Sequence, residues 1–162
     1  MQKFTLHLKK SVFFSICLVL LVCSGFETAE ESTAVIQNTL TKYYDSTIDG
    51  STLKRYELNV TNTGFCKYKK IYTNGKTELF SFNLLRFKGM EYYGTTERGE
   101  LHLYTKNDDV IVQTHNDRKG DVDSMATHMV IPLKEIDQDV LNNLAIQFKK
   151  LNEKLISLKA KA

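Results

Sequence analysis

Tryptophan is absent from this 162-residue chain, proline occurs once and cysteine three times. Each scarcity excludes something. Cys17 and Cys23 fall inside or at the end of an N-terminal apolar run, which leaves Cys66 as the thiol of the folded part. One thiol cannot close an internal bridge, so a small disulfide-stapled scaffold is excluded. The single Pro132 and the want of any Ser/Gly-rich stretch argue against a linker between two domains. Charge of one sign is missing too. The 22 Lys and Arg residues fall to 19 once the three lysines of residues 1–24 are set aside, against 19 Asp and Glu. The apparent basicity therefore belongs to the N-terminus and is no nucleic-acid footprint.

What is present begins with an export signal. Lys3, Lys9 and Lys10 precede the apolar run Ser11–Val22, and small residues follow at Cys23-Ser24-Gly25. A basic start, an apolar core too short for a comfortable membrane span and a small-residue end are the three parts of a signal peptide. The expected division is a signal over 1–24 and one α+β domain over 25–162, long enough to bury an ordinary core without staples. Leu20-Leu21-Val22-Cys23 also approximates a lipobox, although Val22 is larger than that pattern prefers. Lipidation of Cys23 would bring membrane association.

Periodicity predicts a helix at each end. Thr28 and Glu31 fit a capping box, and Ile36, Leu40 and Tyr43 share one face of a helix over 30–44. Leu141, Leu144, Phe148, Leu151, Leu155 and Leu158 form the stripe of a second helix over 138–158. Its acidic start and Lys-rich end suit the helix dipole.

Between the helices the period changes to two, and about seven strands in meander order are expected. Asn74-Gly75 suits a two-residue type I′ turn, which would set Ile71 against Glu78 and Lys69 against Phe80. Leu79–Phe87, apolar on both faces, reads as a central strand, and Asp123–Leu133 as one alternating strand. The hairpin Glu100–His115 looks like the organising unit. A turn at Asn107-Asp108 would place Leu103 opposite Val112, gathering Glu100, His102, Tyr104, Gln113 and His115 on one polar face. Strands followed by a long C-terminal helix packed on the sheet resemble the pleckstrin-homology superfold in topology alone. A small lipocalin-like barrel fits the same order, and such folds host many functions.

Chemical motifs are few. In that register His128 would lie about 13 Å from the row of His102, so His102, His115 and His128 would not converge as zinc ligands must. Neither a metal nor a cofactor is expected. Cys66 has no nucleophile signature, the Asp117–Asp123 cluster lacks calcium-loop spacing, and Ser124 lacks a G-x-S-x-G context. A hydrolase using His102 or His115 as general base would need a converging carboxylate and nucleophile, and no such spacing is visible. Lys67 and Lys69, interleaved with aromatics that include Tyr72, form a basic aromatic strand. The expectation is a non-catalytic exported binding or interaction domain of the bacterial envelope. It would use His102, Tyr104, Gln113 and His115, or Lys67, Lys69 and Tyr72, to contact a protein or a small apolar ligand, not nucleic acid. A structural or assembly lipoprotein held by Cys23 is the alternative.

Overall fold

The computed structural model describes residues 29–48 and 52–161. The segment expected to be a signal peptide, Cys23 and the expected Thr28 cap lie outside the described residues. The elements are α1 (Ala29–Tyr43), β1 (Leu53–Val60), β2 (Phe65–Tyr72), β3 (Thr77–Asn83), a 3-10 turn (Leu84–Arg86), β4 (Phe87–Gly94), β5 (Arg98–Thr105), β6 (Val110–His115), β7 (Asp123–Ala126), β8 (His128–Lys134) and α2 (Gln138–Lys159). The class is α+β. Two antiparallel sheets carry the strands, in the orders β1-β2-β3-β6-β7 and β4-β5-β8.

Both helices form where their apolar spacing requires. Ile36 and Leu40 of α1 are fully buried. Asp137 caps α2 by accepting from Val140 N at 2.9 Å. Leu141, Leu144, Phe148, Leu151 and Leu155 are buried, whereas Leu158 is half exposed and lies past the stripe's reach. The two helices pack on each other. With the inward faces of both sheets they enclose one apolar core. Burying each such side chain contributes about 1.5–3 kcal/mol.

The Glu100–His115 hairpin does not form. β5 pairs with β4 and β8, while β6 pairs with β3 and β7 in the other sheet. Thr105 explains the separation. Its N–H and hydroxyl both donate to Thr127 O, each at 2.9 Å, and the hydroxyl also lies 2.6 Å from Asn107 O. Lys106 N donates to Arg86 O at 2.9 Å. Three passages between the sheets thus meet at one corner: the 3-10 turn, the β5–β6 link and Thr127. For the same reason 123–133 is two strands, β7 and β8, broken at Thr127. The apolar run 79–87 likewise ends β3, makes the 3-10 turn capped by Asn83 Oδ1, and starts β4. Eight strands in two sheets replace a single meander.

The β2–β3 turn also differs by one residue. Gly75 N donates to Tyr72 O and Tyr72 N to Lys76 O, so the loop is Thr73-Asn74-Gly75. Gly75 alone takes positive φ there, at 88°. Lys70 therefore faces Glu78 and Tyr68 faces Phe80. A one-residue change in loop length exchanges the faces of one strand relative to the other. Here it brings Tyr68 and Phe80 to the inner side and sets Lys69 beside Leu79 on the outer side. Tyr68 is fully buried, and its hydroxyl shares a 2.8 Å hydrogen bond with that of Tyr44.

The segment after α1 fastens the helix to the second sheet. Tyr44 bridges to Leu133, and Asp45 N donates to Pro132 O at 3.0 Å. The Asp45 carboxylate is buried. It accepts from Thr47 N and Oγ1 at 2.9 and 2.6 Å, and Arg98 Nε lies 2.7 Å from its other oxygen. Burial pushes this carboxyl's pKa up, but the Thr47 hydrogen bonds and the charges of Arg98 and Lys134 outweigh it and hold it below the ordinary range. A carboxyl with a depressed folded-state pKa contributes stability that is complete above its unfolded value, about 3.9. That contribution is lost as pH falls through the folded value. We expect Asp45→Asn to cost about 1.5–3 kcal/mol at pH 7, mostly through the charged hydrogen bonds, since Arg98 is largely solvated. Urea unfolding of both proteins at pH 7 and below pH 4 should show the gap closing in acid. An equal gap at both pH values would refute the assignment.

Candidate functional site

The outward side of the three-stranded sheet collects rings. Successive side chains of a strand alternate between faces, so Glu100, His102 and Tyr104 of β5 share the outer side. The register adds neighbours from both flanks. Tyr93, Glu100 and Pro132 form one row, Glu91, His102 and Val130 the next, and Gly89, Tyr104 and His128 the third. Leu101, Leu103, Met129 and Ile131 point the opposite way and are fully buried, which fixes the orientation of the outer set.

His102 and His128 sit diagonally across β5 and β8, with ring centroids 5.0 Å apart and planes 10° from parallel. The spacing of about 13 Å expected from the hairpin register is overturned, because His128 belongs to β8 and pairs with Tyr104. Tyr93 meets the other side of His102 edge-on at 4.7 Å, and Tyr104 lies 5.2 Å from His128. Polar groups pin the stack. His102 Nε2 is 3.2 Å from Glu100 Oε2, and His128 Nδ1 is 3.0 Å from Thr127 Oγ1. The Tyr93 hydroxyl donates to the Glu91 carboxylate, with the Tyr104 hydroxyl 3.4 Å away. That donation holds the Glu91 carboxyl below its usual pKa range and pushes the Tyr93 phenol up.

Beside the stack a cleft of about 280 Å³ opens between the sheets. Lys70, Phe80 and Val112 line one wall, and Glu100, His128 and Val130 the other. His128 and Glu100 thus belong to both the ring stack and the cleft. Apolar walls with a few charged groups are the composition of a ligand site.

The other residues singled out in the sequence lie elsewhere. Gln113 and His115 are on β6, where they face Leu79 and Thr77 across β3, and Gln113 donates to Asp123. Lys67 and Lys69 occupy the outer side of the five-stranded sheet. Tyr72 is on that sheet's opposite face, donating to Glu78 at 2.8 Å, and Tyr68 is buried. The basic aromatic strand is therefore divided between two faces. Cys66 is fully buried, and burial pushes its thiol up to about 12, far from a reactive thiolate. Among the described residues no cluster of three or more His, Cys, Asp or Glu is placed to hold a metal.

The stack contains His102 and Tyr104, which the sequence reading singled out, and brings to them Tyr93, Glu91 and His128, which it did not group with them. Each alternates correctly on its own strand, so the signal existed locally. What joins them is pairing between segments far apart in the chain, which no local pattern encodes. No protein-family model matches the chain, and comparisons with characterised proteins and with solved structures find no match.

Proposed function

We propose that this is an exported small binding domain, periplasmic or envelope-associated, that uses the Tyr93–His102–His128–Tyr104 stack and the adjoining cleft to hold a protein side chain or a small apolar, ring-bearing ligand. The observation that carries the reading is the stack itself. Four rings from three strands lie side by side with Glu91 and Glu100 at their rim. Ring faces attract other rings, and the carboxylates accept from any N–H or O–H a ligand carries. Export rests on the Lys3–Val22 segment, and Cys23 supplies the lipid tether if the lipobox is used.

Intact mass of the protein from its native host tests export. A start at Gly25, or an acylated start at Cys23, agrees with it, and a retained Met1 refutes it. A nuclear magnetic resonance screen of small aromatic and sugar-ring compounds tests the surface. Hits should perturb His102, Tyr104 and His128, and His102→Ala should weaken them about tenfold, the loss of one ring contact and its hydrogen bonds. Perturbations mapping to Lys67, Lys69 and Gln113 instead would sink this reading.

A further inference from the structure

The sheet edges are treated unequally. Gln37 of α1 closes β1: its Oε1 accepts from Val60 N at 2.7 Å and its Nε2 donates to Leu58 O at 2.8 Å. Tyr44 and Asp45 close β8 through Leu133 and Pro132. β7 is four residues long, too short to template a stable partner. β4 is eight residues long, and among the described residues no strand pairs with its outer side. After a bulge between Phe87 and Gly89 its register runs regularly to Gly94. An edge of this kind offers alternate N–H and C=O groups to another extended chain.

A groove accompanies that edge. One cavity of about 330 Å³ lies between Phe87–Met90 and the Ala145–Glu153 side of α2. A second of about 330 Å³ lies further along α2, between Leu85-Arg86 and Ile156, Lys159 and Ala160. Their lining mixes Leu85, Phe87, Met90, Ala145 and Ile156 with charged side chains, and Ile156 is 44% exposed, an aliphatic side chain left uncovered among the described residues. Asn152 Nδ2 donates to Leu84 O and so fastens α2 to the 3-10 turn, which keeps the walls apart at a set distance.

The rim decides what would lie there. Arg86, Lys88, Lys149 and Lys159 border the groove, against Asp109 near Arg86 and Glu153 near Lys149. Lys149 and Glu153 are 4.0 Å apart, and Arg86 and Asp109 3.7 Å, so neither pair is tight. Glu91 of β4 faces Lys88 as a third carboxylate, so four cations against three carboxylates leave the groove net positive.

From these features we propose that β4 takes an extended acidic peptide segment of a partner protein as an additional strand, seated between β4 and α2. Backbone bonds to β4 would hold the segment, alternate apolar side chains would enter the groove over Ile156 and Met90, and carboxylates would meet Lys88, Lys149 and Lys159. The β4 edge adjoins the ring stack, since Glu91 and Tyr93 belong to the same strand, but the inference does not depend on that reading.

The test uses the protein with two acetylated ten-residue synthetic peptides, one alternating Val and Glu and one alternating Val and Lys. Amide hydrogen exchange and chemical-shift mapping locate the binding. The acidic peptide should protect β4 amides and shift Lys149 and Ile156, with affinity falling about tenfold or more between roughly 50 and 500 mM salt. The basic peptide should bind at least about tenfold more weakly. Lys88→Glu with Lys149→Glu, and separately Ile156→Ser, should each weaken the acidic peptide about tenfold; all three positions line the surface groove, and circular dichroism would confirm folding. Protection on β7 instead of β4, equal binding of both peptides, or no protection of β4 at millimolar acidic peptide would overturn the proposal.

Discussion

Replacing Phe148 by alanine should lower the stability of the protein by about 3–5 kcal/mol, a large share of the 5–15 kcal/mol typical of a folded domain. The ring is fully buried on the inner side of α2 and stacks on Phe87 at 5.3 Å between centroids. Three effects add. The transfer energy of the ring is lost, the ring pair is lost, and a cavity remains because the surroundings relax only in part. Leu144 and Leu151 flank the position one turn away on either side and are themselves fully buried, so they have little freedom to collapse inward. Phe87 begins β4 directly after the 3-10 turn, so the damage should spread to the strand that carries Glu91 and Tyr93. Ile146 is on the same helix and 51% exposed. Ile146→Ala should change stability by no more than about 0.5 kcal/mol. Urea denaturation of the two variants beside the parent measures the contrast. Similar costs for both would mean that α2 does not seal the core as described.

The same helix shows what a chain of this kind discloses before folding. The stripe from Leu141 to Leu155 is readable because helical neighbours are three and four residues apart, so periodicity and burial carry one message. α1 is legible for the same reason. Each strand also announces itself by alternation: Leu101 and Leu103 are buried, as their spacing implies. Alternation says nothing about which strand lies alongside. Leu101-Leu103 and Val110-Val112 satisfy a hairpin on paper, yet Thr105 turns β5 away and bonds to Thr127, twenty-two residues on. A buried Thr whose hydroxyl and N–H serve the same distant carbonyl has no sequence signature. Asn74-Gly75 misleads in a smaller way. The pair suits a two-residue turn, but a loop of three residues needs positive φ at Gly75 alone, and Asn74 keeps negative φ. The ring stack inherits both difficulties. His102 and Tyr104 are adjacent on one strand and could be grouped from sequence. Tyr93 and His128 join them through pairings settled only when the second sheet assembles.

Gly94→Ala should be the most damaging change near the candidate site, costing about 3 kcal/mol or more. Gly94 ends β4 with φ at 150°, where side-chain-bearing residues are strained. An added Cβ would also lie 2.5 Å from both Arg98 O and Gly99 Cα, atoms of the facing backbone that cannot rotate aside. Gly94 and Gly99 are direct partners in the register, so the hairpin closes on two residues without side chains. Gly75→Ala carries only the first of the two causes. That residue has φ at 88° with open space around it, so only strain applies, about 1–2 kcal/mol. The excess at Gly94 therefore reports the close approach of the two strands together with the greater strain of φ at 150°. Its consequences extend to function, because opening this hairpin moves Tyr93 and Glu100 beside the ring stack and Arg98 beside the buried Asp45. Thermal unfolding should show Gly94→Ala well below Gly75→Ala. Chemical shifts of His102 should move in the first variant and stay in place in the second. Equal melting temperatures would mean that the strands have room to part without cost. The ring stack would then sit on a hinge instead of a fixed frame, and its spacing could not by itself define what the surface accepts.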